Sequence, residues 1–184
     1  MSIIFKDIEI ERKHKISTLY SDKRDDEILC LFQVVDKCGF TIEQYSKIKK
    51  ALAYALEQDY GPRDLDRYYV THPIRVARFM AQAQPHADAV AAALIHNAIE
   101  KEILTKAQLT HDYGKWVADA IETLTVDRPA MATKAGRDRY YQNISNAPTE
   151  VQCLKIFDKL DNLFILCINP NAEIREEYLR ETET

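Results

Sequence analysis

Residues 91–102 read AAALIHNAIEKE. Ala91–Ile95 and Ala98–Ile99 are apolar enough for a protein core, yet His96, Asn97 and Glu100 interrupt them. A helix turns by about 100° per residue, so the three polar groups fall within one sector of roughly 100°. His96 and Glu100 would stack at i and i+4. The stretch therefore predicts a core helix, Ala87–Glu100, with one polar wall. Each of these side chains, left unpaired in a core, would cost about 1–3 kcal/mol. The wall must meet partners, water, a metal or a ligand.

The rest of the chain has the same helical character. Of 184 residues only four are glycine and six are proline. The spacing predicts helices over Asp26–Lys37 and Thr41–Gln58, the second opening on an N-cap Thr41 with Glu43 and Gln44 in its first turn. Gly61-Pro62 breaks the chain, so 59–69 is expected as a loop. Pro73 suits the first turn of a helix reaching Gln84, and Pro85 closes it. Thr105 and Gly114 bracket a short helix, and Lys115–Leu124 continues as another with apolar residues at helical spacing. Residues 125–138, TVDRPAMATKAGRD, read as a loop. Thr149–Ile168 reads as a long apolar helix ended by Asn169-Pro170. The expected fold class is all-α, a helical bundle with no substantial sheet.

Composition narrows the function classes. The chain is 46% hydrophobic and 29% charged, ordinary for a globular protein, with a formal net charge of −4. That charge gives no global case for nucleic-acid or membrane partners. No apolar run approaches the ~20 residues of a membrane span, and the first fifteen residues lack a signal-peptide apolar region. Cys30, Cys38, Cys153 and Cys167 show no CxxC spacing, so reduced thiols and a cytoplasmic location are expected.

A second apolar helix carries a similar wall. In VQCLKIFDKLDNLFIL, 151–166, Lys155, Asp158, Lys159 and Asn162 share a sector of about 100°. His72 adds a third polar point at the mouth of a helix, beside the loop with Arg63 and Arg67. Taken singly, each has an ordinary explanation. A lone histidine is usually a hydrogen-bonded structural residue, and His14, His86 and His111 are read that way. A Lys/Asp pair on a helix is usually solvated. Together they are a different matter, because two imidazoles with oxygen donors suit a divalent transition metal. Such ligands must come from separate helices, since one helical face cannot surround an ion.

The order His72-Pro73, then LIHN with Glu100, then KIFDKLDNL at 155–163 resembles the HD-domain metal-dependent phosphohydrolase superfamily. It is most similar to the RelA/SpoT hydrolase domain and its small stand-alone relatives. YYVTHPIRVARFM, DAVAAALIHNAIE, YGKWVADAIETLT and LKIFDKLDNL each resemble a family block, and the resemblance runs from about 40 to 168. It implies an HD-domain helical bundle over 41–184, preceded by a charged N-terminal extension and first helix over 1–40. It also implies one divalent metal, typically Mn²⁺, with His72, His96, Asn97 and Asp158 as ligands. By the same resemblance Glu100 positions or activates the attacking water, Asn162 contacts the nucleotide, and Arg63 lies against the guanine base. The implied reaction removes the 3′-pyrophosphate of guanosine tetra- or pentaphosphate. Lys155, one turn before Asp158, is the better candidate for holding phosphate charge; Arg137 and Arg139 are read as solvated loop residues.

Three positions depart from the family pattern. Asn97 replaces the aspartate of the His-Asp pair. Glu100 is followed by Lys101 rather than an acid. Arg63-Asp64-Leu65-Asp66 stands where relatives have Arg-Lys-x-Gly. Three readings follow: a metal-dependent nucleotide hydrolase of weakened activity, a domain that binds nucleotide or metal without turnover, and a helical interaction module. The oligomeric state has no signature in the sequence.

Overall fold

A computed structural model describes residues 24–58, 62–63, 67–68, 70–83, 86–166 and 171–182. Ten helices account for nearly all of it: α1 (Arg24–Val35), α2 (Ile42–Glu57), α3 (Thr71–Ala83), α4 (Ala87–Ile95), α5 (Lys106–Tyr113), α6 (Lys115–Leu124), α7 (Arg128–Met131), α8 (Lys134–Ser145), α9 (Thr149–Leu166) and α10 (Ala172–Thr182). Inside the expected 59–69 loop, β1 (Pro62–Arg63) pairs antiparallel with β2 (Arg67–Tyr68), a two-residue ladder with Arg63 opposite Arg67. The fold is the all-α helical bundle that the sequence implied.

Local chemistry sets the helix starts. Thr41 accepts from the Gln44 amide while the Gln44 side chain accepts from the Thr41 amide, a reciprocal cap on α2. Thr105 and Gln108 repeat the arrangement on α5. His86, left without a ligand role by the sequence, accepts from the Ala89 amide and caps α4.

Helix α4 is the hub. Its alanines and its valine, leucine and isoleucine are buried, and it packs against α2, α3, α6 and α9. Helix α3 is buried along most of its length and is covered by α1 on one side and α9 on another. Ile74, Ile121 and Leu154 are fully enclosed in this core. Truncating a side chain of that kind to alanine typically costs about 2–5 kcal/mol. Among the described residues no helix is long and apolar enough to cross a membrane.

Two expectations are corrected. The helix expected through Glu100 ends at Ile95, and residues 96–102 form a turn that closes with Glu102 at φ 56°. The His96 ring takes the Ala93 carbonyl at 2.7 Å, one of the acceptors a helix end leaves open. Bonds from the Ile103 and Leu104 amides to the Ala98 carbonyl then fold the chain back. The stretch 125–138 is not a loop throughout. Asp127 caps α7, with Pro129 in its first turn, and Thr133 caps α8. Helix α10 was not anticipated at all.

Candidate metal centre

His72 comes from the first turn of α3, His96 from the turn after α4, and Asp158 from the middle of α9. Their ligand atoms lie within 4.8 Å of one another. His72 Nε2 is 3.2 Å and His96 Nε2 is 3.8 Å from the same oxygen, Asp158 Oδ1. The two imidazoles meet edge to face, 5.3 Å between centroids. The expected histidines and aspartate thus converge from three separated elements.

Each ring has one nitrogen committed elsewhere. His96 Nδ1 donates to the Ala93 carbonyl, so Nε2 carries the lone pair. That Nε2 is buried with no hydrogen-bond partner. Burial, opposed by the attraction of Asp158, lowers the His96 pKa to about 4, so the ring is neutral near pH 7 and free to ligate. His72 Nδ1 faces Asp161 Oδ2 at 2.7 Å. Burial works against ionisation of Asp158, but the His72 hydrogen bond and the Lys155 charge outweigh it, holding the carboxyl well below its usual range. A buried orphan imidazole nitrogen, a second imidazole and an ionised carboxylate on one point form a donor set suited to a divalent cation.

Above these ligands opens a cleft of about 290 Å³. Asn97, Glu100, Lys155, Asp158 and Asn162 line it with His72. Asn162 Nδ2 donates to Asp158 Oδ1 at 3.0 Å, and Lys155 Nζ donates to Asp158 Oδ2 at 3.0 Å. Burial disfavours the Lys155 charge, but the Asp158 carboxylate and the Tyr140 hydroxyl more than offset this, and its pKa is raised. Glu100 accepts from Arg128 Nε at 3.1 Å and Nη2 at 2.5 Å. The α9 wall is as expected. Of the expected His96–Asn97–Glu100 wall, Asn97 and Glu100 line the cleft from a turn and not a helical stripe, and His96 is buried beside Asp158. Arg63 sits in β1, and its side chain lies outside the described residues. Arg137, read as solvated, donates to the Met131 carbonyl at 3.0 Å and ties α8 to α7.

Several site residues escaped the sequence reading. Arg128, Met131, Tyr140 and Tyr141 reach the cleft from a stretch taken largely as loop. Behind His72, Asp161 is clamped by Arg75, and Arg75 faces Glu27 of α1. Their one visible signal was an arginine and an aspartate among the apolar residues of two buried helices.

Two histidines and an aspartate thus lie together at a polar cleft in an all-helical bundle. The chain is similar to proteins named guanosine-3′,5′-bis(diphosphate) 3′-pyrophosphohydrolase. It is 33% identical over 100 residues to the enzyme of that name from Danio rerio, covering 52% of this chain and 53% of the other. It is 41% identical over 54 residues to the one from Haemophilus influenzae, covering 29% and 8%. With the one from Aquifex aeolicus identity is 28% over 148 residues, covering 74% and 20%. The chain thus spans about half the length of one of these relatives and a small share of the others. Its fold matches that of a metazoan orthologue of SpoT described as hydrolysing ppGpp, with a TM-score of 0.65 at 22% identity over 74% of this chain and 82% of the other. No family model matches the chain.

Proposed function

We propose that the protein is a divalent-metal phosphohydrolase that removes the 3′-pyrophosphate of a guanosine nucleotide of the (p)ppGpp type. The observation that carries this reading is the convergence of His72, His96 and Asp158 beneath a cleft with cationic and acidic walls. The relatives' names supply the substrate class. His72, His96 and Asp158 hold the cation, Mn²⁺ by preference, with the Asn97 amide oxygen as a fourth, neutral ligand. When bound, such an ion lowers the pKa of water and polarises a phosphoryl oxygen. Glu100 orients the attacking water and takes its proton, a role that requires hydrogen-bond reach to it. To do so, it must exchange the Arg128 guanidinium for that water. Lys155 balances phosphate charge, Asn162 holds Asp158 and faces the nucleotide, and Arg63 lies against the base. Water adds to phosphorus, the bond from phosphorus to the 3′ oxygen breaks, and that oxygen leaves with the proton that Glu100 took from the water. The site serves a small nucleotide, with no nucleic acid or membrane, in the cytoplasm.

A second reading, binding with little or no turnover, is favoured by two features. Asn97 brings no charge to the cation, and Glu100 is held by Arg128. The test titrates the parent and Asn97→Asp with Mn²⁺, then assays both on guanosine tetraphosphate. Losing even an outer-shell partner typically costs about 10–100-fold in metal affinity, so restoring a carboxylate at position 97 should raise affinity by at least about 10-fold. Slow hydrolysis by the parent and faster hydrolysis by Asn97→Asp are expected. Tighter metal binding without turnover gives the binding reading the lead. Absence of Mn²⁺ binding and hydrolysis in both forms overturns the proposal.

A further inference from the structure

His72 is backed by a buried chain of charges running from α9 through α3 to α1. Asp161 is 0% exposed, and its Oδ2 lies 2.7 Å from His72 Nδ1. Arg75 grips the same carboxylate at two points, Nε to Oδ1 at 2.8 Å and Nη2 to Oδ2 at 3.1 Å. Arg75 Nη1 is 3.6 Å from Glu27 Oε1, and Arg78 Nη1 is 3.4 Å from Glu27 Oε2. Glu27, Arg75 and Asp161 are all essentially inaccessible to solvent.

We propose that Asp161 is a positioning residue for the metal site: clamped by Arg75, which Glu27 braces, it anchors the Nδ1–H of His72 and so aims Nε2, the nitrogen that would ligate, toward Asp158 and His96. The inference rests on the metal reading of the cleft. An ionised carboxylate accepts and cannot donate, so Nδ1, 2.7 Å from Asp161 Oδ2, carries a proton, and Nε2, 3.2 Å from Asp158 Oδ1, is the nitrogen that would exchange its proton for the ion. A guanidinium stays charged under all ordinary conditions, so Asp161 always faces a cation. Stability alone is a poor account of this chain, because a buried ion pair often adds no more than a well-packed apolar pair would. A carboxylate behind a ligating imidazole, by contrast, sets its orientation and raises its basicity. Here the effect has added weight. With Asn97 neutral, Asp158 is the sole carboxylate among the four expected ligands, and Asp161 brings a second negative charge next to His72.

The experiment reads the tautomer directly. Long-range ¹H–¹⁵N correlation on metal-free, histidine-labelled protein should show His72 Nδ1 protonated, with or without a proton on Nε2. In Asp161→Asn the amide can turn its NH₂ toward the ring and favour the opposite tautomer, which presents an N–H to the site. A shift toward Nε2–H is expected, with Mn²⁺ affinity lower by about 10–100-fold. Arg75→Lys keeps the charge but loses the two-point grip. It should mix the tautomers and weaken Mn²⁺ several-fold, and it decides the matter if Asp161→Asn does not fold. A parent His72 found with Nδ1 unprotonated overturns the inference outright. So does a folded variant that lowers thermal stability but leaves tautomer and Mn²⁺ affinity as in the parent. Because none of these readouts uses nucleotide, a tautomer shift without guanosine tetraphosphate turnover leaves the inference standing and overturns the phosphohydrolase reading alone.

Discussion

His96 commits one ring nitrogen to its own backbone and turns the other, unprotonated, toward Asp158 Oδ1 at 3.8 Å. This has a consequence for pH. In the metal-free protein its pKa is about 4, lowered by burial from an ordinary value near 6.5. Between these values the unfolded chain binds a proton that the native state refuses. Stability therefore rises with pH across the window, and acidification from 6.5 to 4 removes on the order of 3 kcal/mol. Gln at this position does not titrate. The stability difference between parent and His96→Gln, followed by urea unfolding without metal, should shrink as pH falls through that window. Equal pH slopes would show that His96 is not held neutral. At this scale the sequence was informative about His72, His96 and Asp158, since polar groups in apolar helices stand out. It was silent about Asp161 and Arg75, whose meaning lies in a pairing across 86 positions of the chain.

Helices α2, α3, α5, α6 and α9 were legible from period and caps, because each contains its own signals. The ends that failed depend on tertiary chemistry. Helix α4 has no glycine or proline near Ile95, and a side chain, His96, takes the carbonyl that marks its end. Helices α7 and α8 were hidden by residues usually read as breakers. Pro129 falls where a helix tolerates proline, and Gly136 lies within α8 because the chain passes close by. A Cβ there would collide with the Ala130 carbonyl and approach Thr133 Oγ1. Gly to Ala in a helix ordinarily stabilises, by about 0.4–1 kcal/mol. Gly136→Ala should instead destabilise, by about 1–3 kcal/mol, as overpacking does. The same displacement should disturb the Glu100–Arg128 pair, since Arg128 begins α7. Chemical denaturation gives the sign, and a more stable Gly136→Ala would refute the close approach.

At the scale of the molecule, the candidate ligands join parts of the bundle that the chain itself keeps far apart. His72 belongs to α3 under α1, His96 follows the central α4, and Asp158 lies on α9, which also packs against α6 and α8. An ion held by all three would fasten the elements that the core brings together, and the unfolded chain offers no such arrangement. Binding to the native state alone stabilises it by about 2.7 kcal/mol at a hundred times the dissociation constant. For a chain of this size each kcal/mol moves the melting midpoint by roughly 2–4 °C. Mn²⁺ should therefore raise the midpoint by roughly 5–10 °C at saturating concentration, as one transition, and a chelator should reverse it. Asn97→Asp should reach the same rise at lower Mn²⁺. Asp158→Ala, which removes the oxygen both imidazoles approach, should abolish it. Differential scanning calorimetry across a Mn²⁺ series makes the comparison. If neither the parent nor Asn97→Asp gains stability from Mn²⁺, the convergence of His72, His96 and Asp158 is a packing arrangement and not a metal centre.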